Sequence, residues 1–169
     1  MIKRPFFSII IPTFNRAKDL EFALYCIVRQ SFTDFEIVVS DNCSDDNTEL
    51  VMQALKSEKI IYLRNKKNIV YSLNAKNAME NANGQYIFLH SDDDFLFDKD
   101  ALKKIYSKVR LINPGYIRIG YLCISPNREK IFNFRVNNSF HRDEYLPSDS
   151  TGNGLISFIL NTDHYFITG

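Results

Sequence analysis

The sequence lacks several features that mark particular classes of protein. It has no tryptophan, and its three cysteines, Cys26, Cys43 and Cys123, are far apart with no CxxC spacing. This spacing disfavours a zinc site or a disulfide framework and fits a reducing compartment such as the cytoplasm. No apolar run reaches the roughly 18 residues of a transmembrane helix. The first apolar stretch is interrupted by Pro12, which is unlike a signal peptide.

An excess of charge of either sign is also missing. The 169-residue chain has 21 basic and 20 acidic residues and a formal net charge of +1, which argues against a nucleic-acid-binding surface. Apolar residues make up 45% and charged residues 24% of the chain, as in an ordinary soluble globular domain. The length suffices for one domain with one core, which 14 Phe and nine Tyr make rich in aromatic side chains.

What the sequence does contain is an alternation of apolar strands and amphipathic helices. Four apolar segments, each followed by helical periodicity, predict buried strands. These strands are expected to end, within two residues, at Ile11, Val39, Leu63 and Leu89. The alternation predicts a mostly parallel α/β sheet flanked by helices. Because ligands of such sheets lie beyond the carboxyl ends of the strands, the loops 13–16, 40–48 and 90–94 are expected to meet at one crevice.

The last of these loops carries three consecutive carboxylates, Asp92, Asp93 and Asp94, directly after His90 and Ser91. Like charges beside a core repel one another, and a hard divalent cation is the usual counter-ion for such oxygen ligands. In an extended backbone Asp92 and Asp94 point the same way and form a D-x-D pair. A solvated acidic loop that caps the next helix is the alternative. His90 is expected to be a hydrogen-bonding residue at the strand end.

The pattern changes after about residue 115. Residues 116–124 and 131–136 predict the two strands of a C-terminal β-hairpin. Residues 154–160 form a helix or a strand, which periodicity cannot decide. There are no internal repeats and no linker, so residues 1–169 are expected to form a single domain.

Three segments, taken together, resemble the signature segments of family 2 glycosyltransferases with the GT-A fold. In chain order they are FSIIIPTFNR, SFTDFEIVVSDNCSDDNT and GQYIFLHSDDDFL. The resemblance covers roughly residues 5–110. It implies a Rossmann-like GT-A domain whose residues 1–110 bind a nucleotide sugar and whose residues 111–169 form part of the acceptor side. The implied reaction transfers a sugar from a nucleotide-diphosphate sugar to an acceptor hydroxyl with inversion, in polysaccharide or lipopolysaccharide synthesis.

The resemblance also implies roles for individual residues. The implied nucleotide-sugar-binding residues are Pro12, Thr13, Phe14, Asn15, Asp41, Lys76, Asp92 and Asp93. The implied ligands of a Mg²⁺ or Mn²⁺ ion are Asp92, Asp93 and Asp94. Three departures from the family pattern are Ser40, in place of an acidic residue before Asp41, Val70, in place of Gly, and His90, where many members have Asp. A core position for Phe14 and a solvated helix position for Lys76 remain the alternatives. From its own residues, Asn15 is predicted to cap the helix that follows the first strand.

The resemblance places the catalytic base, usually a carboxylate, in a segment beyond Gly169, so no catalytic residue is named. If the base lies within the chain, the candidates are Asp143, Glu144, Asp149 and Asp163. We expect a truncated transferase that keeps the donor half of the site. Its exposed edge is expected to carry apolar patches around residues 116–124 or 155–160, which would support a homodimer.

The expected partners are the nucleotide-diphosphate sugar and a saccharide or lipid-linked saccharide acceptor, with no nucleic acid. The expected location is the cytoplasm, with peripheral association at the inner face of the membrane. Two alternatives remain open. One is a degenerate or truncated GT-A domain that binds a nucleotide or a partner without catalysis. The other is a nucleotidyltransferase of similar fold, although such enzymes usually carry a Gly-rich loop after the first strand and PTFNRAKDL has no Gly.

Overall fold

A computed structural model describes residues 4–55, 57–118, 123–124, 131–132 and 158–161 of the chain. The elements follow one another in the order β1 (Phe7–Thr13), α1 (Ala17–Val28), β2 (Phe35–Asp41), α2 (Thr48–Ala54), β3 (Ile60–Arg64), α3 (Tyr71–Glu80), β4 (Tyr86–Leu89), α4 (Ala101–Ile112), β5 (Tyr116–Arg118), β6 (Cys123–Ile124), β7 (Ile131–Phe132) and β8 (Phe158–Asn161). Across these ranges, every helix is too short or too polar to cross a membrane.

A six-stranded sheet in the order β3-β2-β1-β4-β8-β5 organises the described residues. Strands β1 to β4 are parallel, with β1 between β2 and β4 and with β3 beyond β2. The predicted mostly parallel α/β sheet is therefore confirmed. All four strand ends lie within two residues of their predicted positions. The first strand and the strand before the three carboxylates are neighbours, which brings their carboxyl ends to the same edge of the sheet.

The C-terminal strands add antiparallel pairings that the sequence predicted only in part. The pairing of β6 with β7 confirms the hairpin over its described residues. The undecided segment 154–160 is a strand from Phe158 onward. Strand β8 lies between β4 and β5 and is antiparallel to both. Residues 158–160 are therefore inside the sheet and do not form the expected edge, whereas β5, in the other segment named for that edge, is the last strand of the sheet.

Alternate residues of β1 face two different layers, as the two-residue period of a strand requires. Phe7, Ile9 and Ile11 pack in the larger core cluster, which also contains Leu20 of α1 and Leu102 of α4. A smaller cluster on the other face of the sheet holds Ile10, Val38, Ala78 and Ile87. Helices thus cover both faces of the parallel strands, and β1 is buried along its whole length.

Gly84, just before β4, allows the chain to approach β1 more closely than a side chain would permit. A Cβ atom at this position would lie 2.4 Å from the backbone N of Ser8 and 2.7 Å from the backbone C of Phe7. The Gly84 amide donates a hydrogen bond to Ser8 Oγ at 2.7 Å. That hydroxyl in turn donates to Glu36 Oε1 at 2.5 Å. The entry of β4 into the sheet therefore depends on glycine.

Replacing Gly84 with Ala should destabilise the protein, because the added methyl group meets backbone that can move only by distorting β1. Overpacking of this kind costs about 1–3 kcal/mol. Urea unfolding followed by circular dichroism should show the loss as a lower midpoint. Gly115→Ala is the matched control, since no glycine within the described ranges has a positive φ. Equal midpoints for the two variants would contradict the close approach at Gly84.

Candidate functional site

The ends of β1 and β4 are joined by a direct hydrogen bond between side chains. Thr13 Oγ1 donates to Asp92 Oδ2 at 2.8 Å, across 79 residues of sequence. The backbone of Phe14 also hydrogen-bonds the Asp92 carboxylate. Thr13 and Asp92 are only 3% and 7% exposed. The loops 13–16 and 90–94 therefore meet at one edge of the sheet, as the sequence predicted.

The acidic segment is a turn, not a continuation of the strand. Strand β4 ends at Leu89, and the amide of Asp94 donates to the carbonyl of Ser91 at 3.3 Å. Asp93 Oδ1 accepts a hydrogen bond from Ser91 Oγ at 2.5 Å. The extended backbone assumed for the D-x-D pair is therefore wrong, because the chain folds back on itself at Asp92 and Asp93.

Arg16 supplies positive charge to this acidic segment. Its Nη1 lies 2.5 Å from Asp93 Oδ2, and its Nε lies 3.9 Å from Asp92 Oδ1. Partial burial lowers the pKa of Arg16, but the charges of Asp92 and Asp93 outweigh this and raise the pKa overall. The guanidinium thus neutralises part of the charge on the two carboxylates. The sequence analysis gave Arg16 no role, although its place three residues after Thr13 in the same loop was a usable signal.

Asp92 remains in an environment that disfavours its charge. Burial raises its pKa to about 6, and the nearby charge of Asp93 acts in the same direction. The hydrogen bond from Thr13 and the charge of Arg16 lower the pKa but do not offset the effect of burial. A cation placed beside Asp92 would therefore stabilise its ionised form.

Two neighbouring residues define the surroundings of the carboxylates. His90 is buried, its amide donates to Ile10 O at 3.0 Å, and its Nδ1 donates to Ser91 O at 2.7 Å. Burial lowers its pKa to about 4, so it is neutral at pH 7 and serves as the expected hydrogen-bonding residue. Tyr71, at the start of α3, has a pKa raised by burial and then by the charges of Asp92, Asp93 and Asp94. The beginning of α3 therefore faces the acidic turn. The sequence analysis did not predict this position for Tyr71.

The loop after β2 is bound to the loop after β1. The Asn15 amide donates to Ser44 Oγ at 2.9 Å, and Asn15 Oδ1 accepts from the Asp45 amide at 2.9 Å. Helix α1 has Arg16 and not Asn15 at its N-cap position, so the prediction that Asn15 caps this helix is wrong. The amide of Ala17 instead donates to Asp46 Oδ2 at 2.9 Å. The helix is capped by a carboxylate from another loop.

Asp41, at the end of β2, is completely buried and hydrogen-bonded on both oxygens. Its Oδ1 accepts from the Ser44 amide at 2.9 Å. Its Oδ2 accepts from Tyr62 Oη and from Arg64 Nη1, both at 2.7 Å. Arg64 Nη2 also donates to Ser44 O at 2.7 Å. Asp41 is thus the centre of a charged network that joins β2, β3 and the loop between β2 and α2.

Asparagine side chains connect the end of β2 to α3. Ser40 Oγ donates to Asn74 Oδ1 at 2.8 Å, and Asn74 Nδ2 donates back to Ser40 O at 2.9 Å. Asn65 Nδ2 donates to the same Asn74 oxygen at 2.8 Å. Asn42 fixes the next loop by accepting from the Ile69 amide at 2.9 Å. Ser40, which replaces an acidic residue of the family pattern, is therefore used inside the fold. The sequence analysis overlooked this network, although asparagines are unusually dense between residues 65 and 83.

The remaining predicted site residues lie in contrasting environments. Pro12 is buried in β1. Phe14 is 41% exposed, so it is not a core side chain. Lys76 Nζ lies 3.5 Å from Glu80 Oε1 on the exposed face of α3. This pair lies within a single helix, four residues apart. The structure therefore brings Thr13, Phe14 and Asp92 together, whereas the ion pair of Lys76 is with Glu80 of its own helix.

The donor set fits a divalent cation of a particular kind. Within the described residues, no three His, Cys, Asp or Glu side chains are grouped so that they could enclose a metal ion. Mg²⁺ is commonly held by one or two carboxylates together with phosphate oxygens and water. The buried Asp92, with its raised pKa and its neighbouring carboxylates, suits that open arrangement.

The chain is similar in sequence to characterised proteins. The model of the family described as Glycosyl transferase family 2 matches residues 8–152. The chain is 36% identical over 123 residues to a GalNAc(5)-diNAcBac-PP-undecaprenol beta-1,3-glucosyltransferase of Campylobacter jejuni. The match covers 71% of this chain and 38% of that protein, so the chain spans little more than a third of its relative.

Solved structures show the same fold. The crystal structure of S. aureus TarS 1-349 superposes with a TM-score of 0.62 at 24% identity, covering 66% of this chain and 34% of that one. A mannosyltransferase from Pyrobaculum calidifontis, PcManGT, in complex with GDP-Man and Mn²⁺, gives a TM-score of 0.61 at 21% identity. It is matched over 68% of this chain and 35% of its own length. The shared α/β architecture, together with the family model that matches most of the sequence, establishes that the chain belongs to glycosyl transferase family 2.

Proposed function

We propose that this chain forms the donor-binding part of a glycosyltransferase that moves a sugar from a nucleotide-diphosphate sugar to an acceptor hydroxyl, with inversion. The observation that carries the proposal is the Thr13–Asp92 hydrogen bond, which joins two adjacent strand ends in a buried, negatively charged corner. Ligands of open α/β sheets bind at this position. The family to which the chain belongs supports the same activity.

The carboxylates of the acidic turn, Asp92 with Asp93 and Asp94, would hold the divalent cation, although Asp93 is also paired to Arg16. The cation would stabilise the negative charge of the leaving diphosphate as a Lewis acid. Burial raises the pKa of Asp92, so a cation beside this carboxylate would stabilise its ionised form. The Mn²⁺ bound to the Pyrobaculum calidifontis neighbour supports the choice of metal.

The loops of the crevice would position the donor. Phe14, with a large exposed face, is suited to contact the nucleoside, and Thr13 holds Asp92 in place. Asn15 ties this loop to the next one through Ser44 and Asp45. Such fixed geometry lets binding energy orient the reacting groups. The base that deprotonates the acceptor lies outside this donor-binding part; Asp143, Glu144, Asp149 and Asp163 lie outside the described residues.

The acceptor would be a saccharide or a lipid-linked saccharide in the synthesis of a cell-surface polysaccharide. The name of the Campylobacter jejuni relative includes an undecaprenol-linked saccharide, and this supports a lipid-linked saccharide as the acceptor. Such an acceptor would place the protein at the inner face of the cell membrane. A homodimer and peripheral membrane association remain part of the proposal.

Replacing Asp92 and Asp94 together with Asn should remove the dependence of nucleotide binding on metal. Because a hard cation needs charged oxygen ligands, the affinity for Mn²⁺ should fall on the order of 100-fold or more. Calorimetry of nucleoside diphosphates with Mn²⁺ and with chelator measures the effect. The double variant Glu21→Gln plus Glu58→Gln removes the same charge from exposed positions and should behave as wild type. Equal nucleotide affinity with metal, with chelator and in the Asp variant would refute metal-dependent binding.

The affinity for Mn²⁺ should also depend on pH. The folded-state pKa of Asp92 is raised to about 6, so its carboxylate is charged above that pH and protonated below it. A metal ligand must be deprotonated, so affinity should fall about tenfold between pH 7.5 and pH 5. Titrations at intervals across this range would show the step, and Asp92→Asn should abolish it. A wild-type profile that is flat near pH 6 would exclude Asp92 as a ligand.

Arg16→Gln should tighten Mn²⁺ binding in the absence of nucleotide. The guanidinium competes with a metal ion for the charge of Asp92 and Asp93, but the pair is half-exposed. Because exposed ion pairs contribute about 0.2–1 kcal/mol, the gain should be about 1.4- to 5-fold. Arg29→Gln, an arginine in the C-cap of α1, is the matched control. Weaker Mn²⁺ binding in Arg16→Gln than in Arg29→Gln would show that Arg16 supports the metal site.

A further inference from the structure

Building on the proposed function, we propose that Arg64, and not Asp41, meets the nucleobase of the donor. Asp41 is then a positioning residue that fixes the guanidinium of Arg64 at the edge of the crevice. The inference differs from the role that resemblance to the family gives Asp41. It rests on the hydrogen bonds and burial at the ends of β2 and β3.

Asp41 has no surface through which to contact a ligand. Its exposed fraction is 0%, and its two oxygens together accept three hydrogen bonds, from the Ser44 amide, from Tyr62 and from Arg64. The bonds from Tyr62 and Arg64 reach the same oxygen, both at 2.7 Å. A base could reach this carboxylate only by displacing Arg64. That displacement would leave a buried charge without its partner, which is strongly unfavourable.

Arg64, by contrast, is both fixed and accessible. It pairs in register with Asp41 at the ends of the adjacent strands β3 and β2, so it lies at the edge where the loops meet. Asp41 holds its Nη1, and the Ser44 carbonyl holds its Nη2 at 2.7 Å. The side chain is nevertheless 35% exposed. A guanidinium has five N–H donors, so donors beyond these two bonds remain to bind a ligand.

This arrangement predicts how a base is recognised. A guanidinium only donates hydrogen bonds, so Arg64 would bind carbonyl oxygens or unprotonated ring nitrogens of the base. Its planar shape also allows it to stack on an aromatic ring. Because the salt bridge with Asp41 and the bond to Ser44 hold the guanidinium before the ligand arrives, little conformational entropy is lost on binding. Arg64 should therefore determine which base is preferred.

The test compares the calorimetric affinities of the chain for UDP, GDP, CDP and ADP with Mn²⁺ present. The readout is the ratio between the tightest and the weakest nucleotide, with pyrophosphate as a ligand that has no base. In Arg64→Gln this ratio should fall at least about tenfold, which corresponds to about 1.4 kcal/mol. The affinity for pyrophosphate should stay within about twofold of wild type, since pyrophosphate has no base for Arg64 to bind.

Two further variants separate recognition from folding. Tyr62→Phe removes one hydrogen bond to Asp41 but leaves Arg64 in place, so the ratio should be retained. Arg64→Lys keeps the charge beside Asp41 and loses the planar fork, so it should fold and still lose the ratio. This second variant decides the question if Arg64→Gln unfolds.

Each result has one meaning. A ratio unchanged in both Arg64 variants would overturn the inference while leaving the proposed function intact. A ratio lost equally in Tyr62→Phe would also overturn it, because the network as a whole and not Arg64 would then be responsible. If the wild-type chain binds pyrophosphate and no nucleotide preferentially, base recognition by Arg64 is refuted. If it binds none of these ligands, the proposed function itself fails.

Discussion

The structure depends on the burial of a carboxylate at the point where two parallel strands end. Asp92 is almost inaccessible to water, and its negative charge is stabilised by Thr13, by the backbone of Phe14 and at longer range by Arg16. Burying a charge is costly unless it is paired and hydrogen-bonded. The surrounding loops must therefore hold these partners in place. The raised pKa of Asp92 indicates that they do so incompletely.

Bonds between loops, more than bonds within each loop, shape the crevice. Asn15 is bound to Ser44 and Asp45 of the loop after β2, and Asp46 of that loop caps α1. The parallel strands bring the three loops to one edge, but they do not set the conformations of the loops. Asn and Asp side chains offer backbone groups an alternative to regular secondary structure, which suits them to this purpose. The high density of such residues after β2 and β3 thus has a structural explanation.

The sequence predicted the sheet well because its evidence was local. Apolar runs such as that ending at Ile11 reveal a buried strand without reference to the rest of the chain. The errors concerned polar residues whose partners are distant in sequence. Asn15 looked like a helix cap, yet the cap is Asp46, in a different loop. Asp92 was placed in an extended segment, yet a turn directs it towards Thr13, 79 residues away. A carboxylate or an amide can accept bonds from many donors, so its type alone does not identify its partner.

The two sides of the crevice differ in charge. At the end of β2, Asp41 is paired with Arg64 through a hydrogen-bonded salt bridge, so these two charges are balanced, with the exposed Glu49 3.9 Å from Arg64 Nη1. At the end of β4, Arg16 lies beside Asp92 and Asp93, and Asp94 follows directly, so three carboxylates and one guanidinium leave an excess of negative charge. A nucleotide sugar has a matching asymmetry, because its base is neutral and its diphosphate is charged. In the proposed complex the base would lie on the balanced side. The diphosphate, with its divalent cation, would lie on the negative side, where the cation satisfies the carboxylates and the phosphates together. The order of β2, β1 and β4 in the sheet would thereby set the direction in which the donor binds.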